Sequence, residues 1–252
     1  DDRAQGPRSF TVRLANPVYG RAQVDRGRFI IRDDEVPVGS SSVSEAFSPS
    51  PFDGLLNTVV GLSPLDQGRL LFYGSFVVGV GSTGYPLTVL REDGTVDPAF
   101  LRPGAGPELS SVRSVVPMAG NRMLVVGRFQ TFGGQPRTNA VVLESDGRVV
   151  SEVELHLDFP PAAAYALPGG GILVTSDVAS RLNGQPVPRV FRLTADGQLD
   201  SQFVGGTNCT MRPGSILPLA DGRIYADGEW KVAGKSVSLI RLLPDGQPDP
   251  SF

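Results

Sequence analysis

The stretch Leu193–Phe203, which reads LTADGQLDSQF, decides the fold because it returns as LLPDGQPDPSF over residues 242–252. Related stretches are LREDGTVDPAF over residues 90–100 and LESDGRVVSEV over residues 143–153. The Asp-Gly pair inside the stretch therefore recurs at intervals of 53, 50 and 49 residues. Self-similarity at a fixed period of about 50 residues is the sequence signature of a repeat architecture.

Each Asp-Gly pair is predicted to form a hairpin turn. Glycine accepts the positive φ that tight turns demand, and an aspartate before it bonds nearby backbone N–H groups. A ladder of ligating carboxylates is the alternative interpretation, and the turn interpretation is the stronger one. The predicted structural turns are Asp93-Gly94, Asp146-Gly147, Asp196-Gly197 and Asp245-Gly246.

Three of the four turns are followed by a second aspartate and, three residues later, a phenylalanine. These pairs are Asp97 and Phe100, Asp200 and Phe203, and Asp249 and Phe252. The second repeat departs from the pattern, with Val150 and Val153 at the matching places. We expect the aspartates to form turns and the phenylalanines to pack between repeats.

A β-rich run follows a turn in the middle of each repeat. The runs are RLLFYGSF over residues 69–76, RMLVVGRF over 122–129, GILVTSDV over 171–178 and RIYADGEW over 223–230. The second repeat then predicts four antiparallel strands, at Val112–Pro117, Arg122–Phe129, Ala140–Glu144 and Arg148–Val153. A lone four-stranded sheet of this size leaves a face unburied, so we expect the repeats to stack as propeller-type blades.

These features resemble the delta-60 repeat family, which occurs in tandem in long bacterial extracellular proteins. The resemblance rests on the mid-repeat strand, the Asn-Gly-x-Pro turn at residues 183–186 and the Leu-x-x-Asp-Gly-x-x-Asp-x-x-Phe ending. It implies a propeller scaffold with no common chemistry. Its repeats are expected over residues 45–252, at about 45–100, 101–153, 154–203 and 204–252.

Residues 1–36 carry a second resemblance, and residues 37–44 are expected to be a linker. The runs SFTVRLANP (9–17) and GRFIIRDDE (27–35) look like the last two strands of a Calx-beta domain, an immunoglobulin-like sandwich. Such a part cannot bury its own core, so we expect the chain to be a piece of a longer polypeptide. The predicted fold class is all-β: four propeller-type four-stranded blades after a partial immunoglobulin-like β-sandwich.

The second resemblance implies Ca²⁺ as the one candidate cofactor, because some Calx-beta domains bind it through clustered carboxylates. Gln5 and Arg8 stand where that family carries acids, and Arg8 would oppose a cation. The alternative is a solvated acidic linker. The candidate metal ligands are Asp2, Asp33, Asp34 and Glu35.

The composition excludes several classes of function. A net charge of −3 does not favour nucleic acid as a partner. A single cysteine, Cys209, and a single histidine, His156, argue against a Cys–His nucleophile pair and a His-based metal site. No apolar run approaches the roughly 18 residues of a membrane span, so no membrane insertion is expected.

The resemblance to delta-60 repeats implies a non-enzymatic structural or adhesive module of a large secreted or cell-surface bacterial protein. Its expected partners are neighbouring domains of the same polypeptide and a surface glycan or protein. One alternative is a propeller that binds a glycan or a peptide at the channel mouth. The other is a hydrolase or lyase that uses channel carboxylates, for which the candidates are Asp53, Asp158, Asp177 and Asp227.

Overall fold

The computed structural model describes residues 8–13, 26–31, 58–65, 68–75, 87–100, 111–211 and 213–252. Within these ranges every regular element is a β strand, apart from one 3-10 turn at Gly205–Asn208. The all-β class is thereby confirmed. The chain divides into two compact units, Asp1–Glu45 and Ala46–Phe252.

In the first unit the described residues are an antiparallel pair of strands, β1 (Arg8–Arg13) and β2 (Arg26–Ile31). Phe10 lies opposite Phe29 in their register. Both strands overlap the two runs that resemble the end of a Calx-beta domain. The candidate ligands Asp2, Asp33, Asp34 and Glu35, the linker at residues 37–44 and the candidate Asp53 all lie outside the described residues.

The described residues of the second unit form four antiparallel three-stranded sheets, each within the range of one predicted repeat. The middle strand of each sheet is the β-rich run from the middle of its repeat. Sheet 1 consists of β3 (Thr58–Pro64), β4 (Leu70–Ser75) and β5 (Leu87–Leu90), and sheet 2 consists of β6 (Ser111–Met118), β7 (Arg122–Arg128) and β10 (Ala140–Glu144). Sheet 3 consists of β11 (Ala163–Ala166), β12 (Ile172–Thr175) and β15 (Val190–Leu193). Sheet 4 consists of β16 (Ile216–Pro218), β17 (Ile224–Val232) and β18 (Lys235–Leu242).

The second and third strands of sheets 2 to 4 are joined through tight hairpins. In sheets 2 and 3 the hairpin is a separate pair, β8 (Thr131–Phe132) with β9 (Gln135–Pro136) and β13 (Ser180–Leu182) with β14 (Gln185–Val187). In sheet 4 it is continuous with β17 and β18. The turn residues Asn183 and Gly184 have φ of 50° and 79°. Positive φ at both central residues identifies the turn that matches the twist of a hairpin.

The predicted fourth strand of each repeat is reduced to one antiparallel bridge. The bridges join Leu90 to Val96, Leu143 to Val149, Leu193 to Leu199 and Leu242 to Pro248. In the second repeat the prediction of a strand over Arg148–Val153 was therefore too long. The chain leaves the sheet after Val150, because Val153 and Leu155 pack into the core against the next sheet.

The sheets stack face to face because successive side chains of a strand point to opposite faces. Leu124 and Val126 of β7 lie in the core shared with sheet 3, whereas Met123 and Val125 lie in the core shared with sheet 1. A third core joins sheets 3 and 4 around the fully buried Trp230. Each inner sheet thus contributes apolar residues to two cores.

No helix that is long and apolar enough to cross a bilayer occurs in the described parts of the chain.

The stacking predicts that two leucine-to-alanine substitutions lower the free energy of unfolding by different amounts. Leu124→Ala, in the core between sheets 2 and 3, should lower the free energy of unfolding by about 2–5 kcal/mol. Leu239→Ala, on an exposed position of β18, should change it by less than about 0.5 kcal/mol. Urea unfolding followed by Trp230 fluorescence measures both. Equal losses would contradict the packing of sheet 2 on sheet 3.

Candidate functional site

The ends of repeats 3 and 4 each hold an arginine, an aspartate and a phenylalanine in contact, which we call the repeat-end cluster. In repeat 3, Arg192 Nε donates to Asp200 Oδ2 at 2.8 Å, and the guanidinium lies 5.0 Å from the centre of the Phe203 ring. In repeat 4, Arg241 Nε donates to Asp249 Oδ2 at 2.7 Å, and its guanidinium lies 5.1 Å from the Phe252 ring. Both clusters combine a charge-assisted hydrogen bond with a cation–π contact.

The second carboxylate oxygen of each cluster holds a backbone turn. Asp200 Oδ1 accepts from Gln202 N at 2.9 Å, and Asp249 Oδ1 accepts from Ser251 N at 2.9 Å. Repeat 1 uses the same turn, with Ala99 N donating to Asp97 Oδ1 at 3.1 Å. Both oxygens of Asp200 and Asp249 are thus bonded within the fold.

Repeat 2 replaces the whole cluster with apolar residues. Val142, Val150 and Val153 stand at the places of Arg192, Asp200 and Phe203, and they pack into the core between sheets 2 and 3. The arginine therefore disappears together with its aspartate. Sequence reasoning found the aspartate and the phenylalanine but missed the arginine. The signal was an arginine just before the leucine of the repeat ending, in repeats 3 and 4 alone.

The Asp-Gly pairs form turns in which a side-chain oxygen accepts a hydrogen bond from a backbone N–H group. Asp93 Oδ1 accepts from Thr95 N at 2.9 Å, Asp146 Oδ1 from Arg148 N at 3.0 Å and Asp245 Oδ1 from Gln247 N at 2.9 Å. At Asp196 the same place is taken by Thr194 Oγ1, which accepts from Gln198 N at 3.1 Å. The glycines Gly94, Gly147, Gly197 and Gly246 have φ between 83° and 89°.

The described candidate carboxylates of a channel site lie on separate elements. Asp158 follows the bridged residue Leu157, Asp177 follows β12, and Asp227 lies within β17. Asp227 Oδ1 accepts from the backbone N–H groups of Gly214 and Ser215, so it fixes the loop before β16. Among the described residues, no three acidic, histidine or cysteine side chains gather closely enough to hold a metal ion.

A surface depression of about 400 Å³ lies beside the hairpin of β13 and β14. Phe159 and Val178 expose 37 % and 38 % of their surface at its walls. Ser180 Oγ accepts from Phe159 N at 3.2 Å, and Arg181 Nη1 donates to Gly184 O at 2.8 Å. The depression therefore places an exposed aromatic ring close to polar and charged groups. Its lining consists of Asp158, Phe159, Val178, Ala179, Ser180, Arg181, Pro186 and Val187.

The single cysteine and the single histidine of the chain, Cys209 and His156, lie in repeats 4 and 3. Cys209 is buried, its Sγ donates to Met211 O at 2.8 Å, and burial raises the pKa of the thiol to about 11. A thiol with so high a pKa holds little thiolate at neutral pH, which is the reactive form. The backbone of His156 bonds Asn183, with His156 N donating to Asn183 Oδ1 at 2.8 Å.

The repeat-end cluster predicts a pH dependence of stability. Hydrogen bonds from Ser251, and then from Arg241, lower the pKa of the Asp249 carboxyl to about 2. An unfolded aspartate titrates near a pKa of about 3.9. The stabilisation by Asp249 is therefore complete above that value and is lost as the pH falls towards 2. Asp249→Asn should make the free energy of unfolding fall less steeply over this acid range.

The matched control is Asp196→Asn, since Thr194 closes that turn in place of the aspartate. Urea unfolding at a series of acid pH values compares the two variants with the native chain. We expect Asp196→Asn to follow the native pH profile. A native acid slope in Asp249→Asn would show that the cluster does not couple stability to protonation of this carboxyl.

Two segments of the chain match a family model described as "Domain of unknown function (DUF5122) beta-propeller", at residues 170–203 and 219–252. No curated protein matches the sequence. One similar solved structure is a protein of unknown function from Bacteroides caccae, determined at 1.35 Å resolution. It is 13 % identical, with 89 % of this chain and 90 % of that chain covered and a TM-score of 0.34. The match of repeats 3 and 4 to the family model supports a propeller-type repeat family.

Proposed function

We propose that the chain is a non-enzymatic structural or adhesive module of a large secreted or cell-surface bacterial protein. In this proposal its four sheets are propeller-type blades of the delta-60 kind, placed after the end of a Calx-beta sandwich. The observation that carries the proposal is that the repeated aspartates bond to other groups of the fold itself. Asp97, Asp200 and Asp249 each accept from the backbone of their own turn and pair with arginine.

The use of these carboxylates favours a scaffold over a hydrolase or lyase. A general acid or base must reach a proton of the substrate with a carboxylate oxygen. In Asp200 and Asp249 both oxygens already bond to the fold, and Asp227 holds the loop at Gly214 and Ser215. The aspartates that recur in the sequence therefore hold the turns and strands of the fold together.

Stacked sheets with shared cores also suit the display of surface groups. Every inner sheet is fixed between two apolar cores, so a hairpin attached to it has a firm base. The hairpins β8–β9 and β13–β14 are separate from the main sheets and carry exposed residues at their turns. Loops held on a rigid scaffold are the usual places of recognition in proteins.

The proposal predicts the size and place of the native protein. Immunoblots and mass spectrometry of fractionated source cells should find it in a surface or secreted fraction, in a species far above the 26.7 kDa of this chain. A cytoplasmic species close to 26.7 kDa would exclude the proposed module. Asp158 and Asp177 would then need testing as catalytic residues.

A second candidate function is glycan binding at the depression beside β13 and β14. An exposed aromatic ring stacks on the apolar face of a sugar, while carboxylate, hydroxyl and guanidinium groups bond its hydroxyls. Phe159 offers the ring, and Asp158, Ser180 and Arg181 offer the polar groups. This combination is what favours a saccharide over other small ligands.

Glycan arrays with the native chain and two variants test this candidate. Phe159→Ala should abolish binding because it removes the stacking ring. Phe252→Ala removes a still more exposed phenylalanine outside the depression and should leave binding intact. Equal effects of the two substitutions, or no bound glycan, would rule out a saccharide site here.

A further inference from the structure

The far face of sheet 4 exposes large apolar side chains to solvent, next to Asp227, which lies opposite Leu239 in the register. We call it the open face. Leu217, Leu239 and Phe252 expose 59 %, 53 % and 57 % of their surface on it, beside the partly buried Tyr225 and Arg241. Large apolar residues grouped on one side of a sheet usually mark a surface that another element covers.

The same face of sheet 3 is buried. In sheet 3, Tyr165 pairs with Leu173 across two strands, as Leu217 pairs with Tyr225 in sheet 4. Val190 ends its sheet at the position that Leu239 takes in β18, and Phe203 corresponds to Phe252. The sheet 3 residues Tyr165, Leu173, Val190 and Phe203 all pack in the core against sheet 4. The open face therefore corresponds to the face of sheet 3 that packs against the next sheet.

The joint between sheets 3 and 4 has a specific polar contact as well. Arg192 Nη1 donates to the carbonyl oxygen of Pro244, directly before the Asp245-Gly246 turn of sheet 4. Val204 N donates to Asp245 O at 2.9 Å beside it. Gly205 lies so close to Gly246 that a Cβ atom there would meet its backbone. The arginine of one repeat thus recognises the turn of the next.

Arg241 is arranged in the same way, but its hydrogen bonds to the described residues do not include such a carbonyl. Its Nε holds Asp249 and its guanidinium lies over Phe252, as Arg192 holds Asp200 and lies over Phe203. Arg241 Nη1 instead donates to Tyr225 Oη at 3.3 Å, a long distance for a hydrogen bond. Arg241 Nη2 donates to Ser251 Oγ at 2.8 Å, so Nη1 has the longest of the guanidinium's three hydrogen bonds.

We propose that the open face docks one further sheet of this same repeat type. That sheet places apolar side chains where sheet 4 has Ile216, Ile224 and Ile240, and it presents to Arg241 the carbonyl that precedes its own Asp-Gly turn. A peptide strand would add to a sheet edge instead. The inference rests on the repeat architecture of the proposed function and is independent of an adhesive role.

The test measures the accessibility of position 239. The one native cysteine, Cys209, is buried with a raised pKa, so Leu239→Cys adds a single reactive thiol. A second copy of residues 204–252, carrying Cys209→Ser so that it adds no thiol, is then appended after Phe252 of the full chain. Because Val190 is fully buried at the equivalent position, thiol labelling should slow roughly ten-fold or more on extension. Lys235→Cys, at the hairpin turn, should label at one rate in both chains.

Two variants of the extended chain separate docking from mere tethering. Replacing Ile224 and Ile240 by lysine in the appended copy alone should restore fast labelling, since charges would then face the apolar surface. Arg241→Lys should restore it in part, because lysine lacks the planar fork that holds both Asp249 and a carbonyl. Neither substitution touches the labelled position.

Two results would overturn the proposal. One is equal labelling of Leu239→Cys with and without the appended repeat, whether that repeat is folded or unfolded by circular dichroism. The other is slow, concentration-dependent labelling of the unextended chain together with a dimeric mass by light scattering, which would assign the open face to a second copy. Either result leaves the localisation test of the proposed function unaffected.

Discussion

The structure depends on one constraint, which is that a three-stranded sheet with apolar residues on both faces must be covered on both sides. The middle strands β7 and β12 direct successive side chains into two different cores. No single sheet of this kind can remain folded alone, because half of its apolar residues would face water. The repeat period, the short connections and the serial stacking are all consequences of this requirement.

Polar residues fix the register that apolar packing leaves open. Apolar contacts are non-directional, so they define the register of two stacked sheets less sharply than hydrogen bonds do. The repeat-end cluster removes this freedom, since Arg192 ties its own turn at Asp200 to the backbone of sheet 4 at Pro244. Asp200 thus acts at the joint between sheets 3 and 4, through the arginine that it holds.

Much of the fold was predictable from local chemistry, and the joints were not. The strand over Ala140–Glu144 and the Asp-Gly turns follow from β propensity and from positive φ, which are properties of neighbouring residues. The pairing of Arg192 with Pro244 joins residues 52 apart, so no local pattern reveals it. The same limit explains Phe252, which shares its motif with Phe203 and differs only in what covers it. The depression at Phe159 also depends on a distant hairpin.

The apolar replacement in repeat 2 makes the array non-uniform along its length. At the repeat ends, the joint between sheets 2 and 3 uses Val142 and Val150, whereas the joint between sheets 3 and 4 adds the Arg192 guanidinium to an apolar core of its own. The joint between sheets 2 and 3 takes its guanidinium from another strand, since Arg113 Nη1 of β6 donates to Pro161 O at 3.0 Å. Because the polar bond comes from a different strand in each joint, the copies of the repeat are not interchangeable in the array.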